Sequence, residues 1–206
     1  MTNKFIIIGP QGSGKGTQAK ILSEKLNIPN ISIGDLLRNA KGELKQEIDS
    51  HMDKGLLAPI KIIIKLLKQR IQQLDCKNGF ILDGYPRNPE QAKLLDQIAS
   101  IDKVIEITLS DQEAIKRLSS RLSCKNCNSI YNTITNPPQK PNICDNCKTE
   151  LFQRPDDKPE AIKKRLEVYH QETKPLIETY KNKLITINGK QPIENIAKDI
   201  EEKLKE

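Results

Sequence analysis

The sequence predicts an α/β protein with a parallel sheet covered by helices on both faces. Two observations predict it. Apolar, β-rich runs alternate with helical patterns along the chain. The first run, Phe5-Ile6-Ile7-Ile8, leads straight into a glycine-rich loop with a lysine at a helix start. The β-rich runs are residues 5–8, 80–82, 104–109 and 184–187, with a weaker one at 30–32. The helical patterns cover 17–26, 34–38 with its continuation, 60–74, 89–100, 111–123, 158–183 and 192–205. Two segments break the alternation and read as small excursions from the main sheet. Segment 32–60 is a helical insertion after the second strand, and 123–152 is poor in helix signals and rich in Cys, Asn and Pro.

At 206 residues the chain can build one sizeable domain with insertions. Its formal charge of +7 suits anionic ligands: nucleotides, nucleic acid or membrane phosphates. Lysine outnumbers arginine 27 to 7, and lysines are usually a solvated surface. Arginine is more telling, because its planar fork grips phosphate with two bonds. Six of the seven fall in motifs, and only Arg70 reads as an ordinary helix-surface residue. No stretch reaches the apolar length of a membrane span, and the N-terminal apolar run is too short for a signal peptide. The five cysteines are therefore expected in a reducing compartment, where metal binding is favoured over disulfides. There is no internal repeat and no low-complexity tract.

The first element ends in Gly9-Pro10-Gln11-Gly12-Ser13-Gly14-Lys15-Gly16-Thr17. Glycines let successive backbone N–H groups point into one concavity. The helix opening near Lys15 adds unpaired N–H groups and a positive dipole end, Lys15 adds a full charge, and Thr17 a hydroxyl that can reach Mg²⁺. Gly16 stands where such loops normally carry Ser or Thr. The strand at 80–82 runs into Asp83-Gly84-Tyr85-Pro86-Arg87. An acid at that strand end orients Mg²⁺ or its waters, and the turn delivers Arg87 to the same sheet edge.

Arg117 and Arg121 lie four apart on the helix expected over 111–123 and so should share one face. Arg154 precedes Pro155-Asp156-Asp157, and Arg165 lies in the long helix that follows. Arginines from several elements converging on one site suit phosphoryl transfer, which needs positioning and charge stabilisation more than covalent chemistry. Between them, Cys124-Lys125-Asn126-Cys127 and Cys144-Asp145-Asn146-Cys147 form two C-x2-C pairs sixteen residues apart, the spacing of a zinc ribbon. Four thiolates complete a tetrahedron and leave no position for substrate, so the zinc is expected to be structural. Cys76 stands apart as a packed thiol, and His51 and His170 are read as structural.

These residues are similar to those of adenylate kinases, of the longer kind whose lid carries zinc. The resemblance covers essentially the whole chain. It rests on the phosphate loop with Gln18-Ala19, Gly34-Asp35-Leu36-Leu37-Arg38, Asp83-Gly84-Tyr85-Pro86-Arg87 and Arg165-Leu166-Glu167-Val168-Tyr169-His170, all in the family's order and spacing. It implies the P-loop nucleoside monophosphate kinase fold with a five-stranded parallel sheet. It divides the chain into core (1–31, 62–119, 158–206), a helical monophosphate-binding insertion (32–61) and a lid with zinc knuckles (120–157). The implied reaction is reversible, Mg²⁺-dependent transfer of the ATP γ-phosphoryl group to AMP, giving two ADP, in a cytoplasmic monomer without nucleic-acid or membrane partners.

By matching positions, Gly12, Ser13, Gly14, Lys15, Gly16 and Thr17 would hold ATP, with Arg117, Arg121, Ile130, Tyr131 and the Gln191 backbone on the same side. Ile33, Arg38, Ala58, Gly84, Arg87, Gln91, Arg154 and Arg165 would serve AMP. Lys15, Asp83, Arg87, Arg117, Arg121, Arg154 and Arg165 would act on the transferring group, and Cys124, Cys127, Cys144 and Cys147 would hold structural Zn²⁺. Three features depart from the family: Ile33 stands where many members have Thr, the stretch between Arg38 and Gly55 is slightly short, and Pro10-Gln11 varies the loop's opening. Gln91, whose carboxamide offers a donor and an acceptor to an adenine edge, favours AMP. The competing readings are a UMP/CMP kinase and a nucleic-acid-binding zinc-ribbon protein. The latter leaves the phosphate loop and arginines unexplained, and only Tyr131 and Phe152 could stack bases in the ribbon.

Overall fold

A computed structural model describes residues 3–52 and 56–205. Positions 53–55, including the Gly55 that bounds the short stretch after Arg38, lie outside the described residues. The main sheet has five parallel strands: β1 (Asn3–Ile8), β2 (Asn30–Ser32), β3 (Gly79–Asp83), β4 (Lys103–Thr108) and a last strand, Leu184–Asn188. Their spatial order is β2-β3-β1-β4 and then the last strand. Alternation along β1 sorts its side chains onto two faces. Ile6 and Ile8 join one core cluster with Phe80, Leu82 and Val104, whereas Phe5 and Ile7 join the other with Ile81, Ile105 and Ile107.

The second cluster lies under α1 (Lys15–Leu26) and a C-terminal helix, Ile193–Leu204, through Ala19, Leu22, Ile196 and Ile200. The first lies under the helices of the other face. These are α2 (Ile33–Arg38), α3 (Glu43–Met52), α4 (Ile60–Ile71) and α5 (Pro89–Asp96). Asn88 caps α5 by accepting from the Gln91 N–H, and Ser32 caps α2 by accepting from Asp35.

The expected helix over 111–123 is shorter. Helix α6 (Asp111–Ser119) stops at Ser120, and Arg121 opens β5 (Arg121–Cys124). Antiparallel pairing ends the helix: Arg121, Leu122 and Ser123 face Asn132, Tyr131 and Ile130 of β6 (Ile130–Asn132). Arg117 and Arg121 are thus not on one helical face. With β7 (Leu151–Phe152), these strands form the sheet β6-β5-β7 of the cysteine-rich excursion. The long helix expected over 158–183 is also divided. Helix α7 (Pro159–Val168) runs into a π turn at Tyr169–Thr173, followed by α8 (Leu176–Thr179) and a 3-10 turn at Lys181–Lys183. Pro175 has no N–H to continue the ladder, and the Lys174 N–H reaches back to the Tyr169 carbonyl at 2.8 Å. The remaining elements in chain order are β8 (Leu184–Asn188) and α9 (Ile193–Leu204). No helix among the described residues is long and apolar enough to cross a membrane.

Candidate active site

The site forms where β1 and β3 end and α1 begins. Gly9 carries a φ of 145°, and a Cβ there would stand 2.3 Å from the Ile107 carbonyl oxygen, so only glycine lets the chain leave β1. Gly12 and Gly14 also have positive φ, and Gly14 is the N-cap of α1. Lys15, Gly16 and Thr17 form the first turn of that helix, whose free N–H groups face the sheet edge. Ser13 is fully buried, and its hydroxyl has no partner among the described residues.

Asp83 ends β3 directly opposite the helix start. A Cβ on Gly16 would lie 3.2 Å from Asp83 Oδ2, so the glycine keeps the gap between loop and carboxylate open. Among the described residues Asp83 makes no hydrogen bond or ion pair, and burial pushes its carboxyl above the usual range. An acid left without a donor, against the start of the helix that opens at Lys15 and Gly16, fits Mg²⁺ or its waters.

Cations surround this acid. Lys15 donates to the Pro10 carbonyl at 2.7 Å. Burial, with added repulsion from Arg87, Arg165 and Arg121, pushes its ammonium down to about 8 despite the attraction of Asp83. Arg87 donates through Nε to the Gly84 carbonyl at 2.8 Å, and burial plus Arg165 lowers it to about 10. Arg154 donates to Ser123 Oγ at 2.8 Å, and burial plus Arg121 and Arg38 lowers it to about 9. None of these three has a carboxylate within ion-pair distance among the described residues. Each shift reports the same condition: charges that repel one another in a cleft that water solvates poorly.

The other arginines are held by acids. Arg38 pairs with Asp35 at 2.6 Å. Arg121 takes both oxygens of Asp157, at 2.8 and 2.5 Å, and Arg165 meets Asp157 at 3.2 Å and Asp156 at 3.0 Å. Burial pushes the Asp156 carboxyl up, but Arg165, Arg121, Arg154 and Arg38 together hold it below the usual range. Arg117 is placed differently. It donates to Glu113 and to the Gly189 carbonyl, each at 3.1 Å, which turns it toward the loop before α9. Gln191 lies in that loop, its side chain tied back to Asp199 at 2.7 Å and the Asn188 carbonyl at 2.9 Å.

An apolar cleft opens beside Arg87. Ile33, Ala58, Gly84 and Gln91 line it, as expected, together with Leu37, Met52, Leu56, Leu57 and Ile63. Gln91 is nearly fully buried, and its Oε1 accepts from the Arg87 N–H at 2.7 Å. The carboxamide is therefore oriented with one acceptor site occupied and with Nε2 as a donor that has no partner among the described residues. The π turn after α7 supports the same loop, since Thr173 Oγ1 donates to the Arg87 carbonyl at 2.8 Å.

The four lid cysteines come together. Their sulfurs all lie within 4.8 Å of one another, with Cys124–Cys147 at 3.3 Å and Cys127–Cys144 at 3.5 Å. Metal–sulfur bonds of about 2.3 Å in a tetrahedron put sulfurs about 3.8 Å apart, so the set fits a zinc-type ion. The two knuckles repeat one design. The Cys124 N–H donates to the Ser129 carbonyl and the Cys144 N–H to the Thr149 carbonyl, each at 2.9 Å, while Asn128 and Lys148 carry φ of 56° and 60°. Ile130 is exposed, but Tyr131 is buried within the lid, packed with Cys124, Cys144 and Leu151. Cys76 is buried beside the Arg70–Asp75 pair. The His51 ring meets the Glu47 carbonyl and Ser50 Oγ within α3, and His170 forms an exposed pair with Asp111 at 2.9 Å.

Asp35, Ser123, Asp156 and Asp157 hold the arginines in place and were not singled out from the sequence. The acidic pair following Arg154-Pro155 was the visible signal for two of them.

A family profile described as adenylate kinase matches residues 7–185. Among relatives, a chain named adenylate kinase from Caldicellulosiruptor saccharolyticus is 47% identical over 207 residues, covering 96% of both chains. Adenylate kinase from Archaeoglobus fulgidus is 46% identical over 207 residues, covering 96% of this chain and 95% of its own. That of Methanosarcina mazei is 47% identical over 206 residues, covering 95% of each.

Proposed function

We infer the working of the site from one premise: this chain belongs to the adenylate kinase family. It is an enzyme that transfers the ATP γ-phosphoryl group to AMP, reversibly, giving two ADP. The observation that carries this at the level of chemistry is a set of three cations without acid partners among the described residues: Lys15 and Arg87 beside Asp83, and Arg154 facing Arg121 and Arg38. Such a site is electrostatically incomplete until a polyanion fills it.

The assignment of residues to steps is our reading. The loop Gly12–Thr17 holds the ATP phosphates, with Lys15 as the main charge. Asp83 and Thr17 would hold Mg²⁺ or its waters, and the ion would offset the charge of the phosphates. Arg38 and Arg87 hold the AMP phosphate, and Arg121, Arg154 and Arg165 stabilise charge on the transferring group. Arg117 and the Gln191 backbone serve the ATP end, while Ile33, Ala58, Gly84 and Gln91 surround the acceptor base.

Segments 32–61 and 120–157 act as movable covers on the core. Water is a competing acceptor for the phosphoryl group, and a lid that closes only over both substrates excludes it. Zn²⁺ on Cys124, Cys127, Cys144 and Cys147 would keep that lid folded as it moves. The reading also includes a cytoplasmic monomer that needs no nucleic acid or membrane.

A panel of acceptors tests the base assignment. With ATP saturating, kcat/KM for AMP is expected to exceed that for GMP, UMP and CMP despite Ile33. Turnover of UMP or CMP equal to that of AMP would replace the AMP assignment with that of a pyrimidine nucleotide kinase.

A further inference from the structure

The two cysteine knuckles share a backbone design but differ in what touches their sulfurs. In the first, Cys127 Sγ meets Ser129 Oγ at 3.1 Å, and in the second Cys147 Sγ meets Thr149 Oγ1 at 3.4 Å. The second alone has a phenol inserted into it. The Asp145 N–H donates to Tyr131 Oη at 2.8 Å, and the same oxygen stands 3.5 Å from Cys144 Sγ. Because the oxygen already accepts from Asp145, its own hydrogen is free to point at the sulfur. Tyr131 and Cys144 are both buried, so water does not compete for that hydrogen.

We propose that Tyr131 is a positioning residue of the lid's metal centre, relaying the Asp145 N–H to the Cys144 sulfur and so setting how firmly the cluster retains its ion. This rests on the reading of the four cysteines as a metal site. A hydrogen bond donated to a metal-bound sulfur draws charge from it and fixes its direction, and loss of such supporting bonds typically weakens metal binding 10–100-fold. The position of Tyr131 extends the effect. It lies in β6 next to Asn132, whose side chain donates to the Arg117 carbonyl and Ser120 Oγ, each at 2.9 Å. One strand of three residues therefore joins the cysteine cluster to the end of α6.

The test compares the full wild-type chain with Tyr131→Phe. Metal content is measured first by elemental analysis. Release to excess 4-(2-pyridylazo)resorcinol is then timed, and the charge-transfer absorption of the Co²⁺-loaded proteins is recorded. Tyr131→Phe is expected to release metal at least about tenfold faster. Its cobalt–thiolate band is expected at longer wavelength, because the sulfur lone pairs lose a stabilising hydrogen bond. Release within about twofold of wild type, with an unmoved band, overturns the proposal while leaving the metal site standing. A wild-type chain that binds no metal overturns both. If Tyr131→Phe does not fold, replacing the four tyrosines with 3-fluorotyrosine keeps the shape and makes the phenol a stronger donor. The band should then move to shorter wavelength, and no movement overturns the proposal.

Discussion

Both carboxylate oxygens of Asp157 are held by the Arg121 guanidinium, at 2.8 and 2.5 Å, across the base of the lid. Asp157 sits in a short turn thirty-six residues after Arg121, and Arg165 on α7 shares one of its oxygens at 3.2 Å. A single carboxylate, its side chain fully buried, thus fixes two arginines from different elements. It leaves their remaining donors for a ligand.

Asp157→Asn should leave those arginines with less compensating charge. Removing one partner of a buried ion pair typically costs about 3–5 kcal/mol, and a charge-to-amide change should reach the lower part of that range. The loss is expected to be smaller with nucleotide bound, because phosphate replaces the missing charge. Urea unfolding with and without nucleotide measures this, and an equal loss in both states would show that the pair is merely structural.

Lys15 predicts a pH dependence with a definite sign. Its folded value is about 8 against a usual 10.5. Below the folded value the lysine is charged in both states, and its burial cost is fully present. Between the two values the folded chain binds fewer protons than the unfolded one, so this group's contribution to stability rises with pH. Ligand binding should respond in the opposite direction, since the site loses a positive charge as pH passes about 8. ATP affinity is expected to weaken there by up to about tenfold per pH unit in wild type, and to stay flatter in Lys15→Arg. Parallel curves would remove Lys15 as the titrating group.

Chelation, or Cys→Ser at Cys124, Cys127, Cys144 or Cys147, should lower the thermal midpoint far more than it changes turnover in enzyme that remains folded. The excursion has a small apolar cluster around Tyr131 and Leu151, so metal binding supplies folding energy there. Calorimetry beside activity at a low temperature separates the two effects. A metal-free lid with an unchanged midpoint would contradict it.

Gln91 should discriminate through its free Nε2–H. Adenine and cytosine offer a ring nitrogen that accepts, whereas guanine and uracil present a ring N–H, and an opposed buried donor costs about 1–3 kcal/mol. Gln91→Glu keeps the acceptor for the Arg87 N–H but removes the donor. The AMP-to-GMP ratio of kcat/KM should therefore fall about 5- to 150-fold. An unchanged ratio would place base selection elsewhere in the cleft.

The parts of the site that depend on local sequence were legible, and those that depend on pairing over distance were less so. The phosphate loop, Asp83-Gly84-Tyr85-Pro86-Arg87 and the cysteine pairs are contiguous stretches whose chemistry follows from spacing. Arg121 was read as helical because the pattern of α6 continues into it, whereas its backbone is committed to Asn132 of β6. The hydroxyl of Tyr131 meets Cys144 and Asp145, a contact set by the fold of the second knuckle rather than by its neighbours in sequence. The carboxylates of Asp35 and Asp157 are ordinary acids in sequence and gain their role only when an arginine meets them.

The most direct test of the account follows phosphorus through the reaction by ³¹P NMR, with ATP, AMP, Mg²⁺ and metal-replete enzyme. Two ADP are expected for each ATP consumed, with no release of inorganic phosphate. Turnover should fall on the order of 10³-fold in Arg87→Ala, as for other arginines that stabilise a transferring phosphoryl group. Absence of ADP above an enzyme-free control, or release of inorganic phosphate in its place, would contradict it.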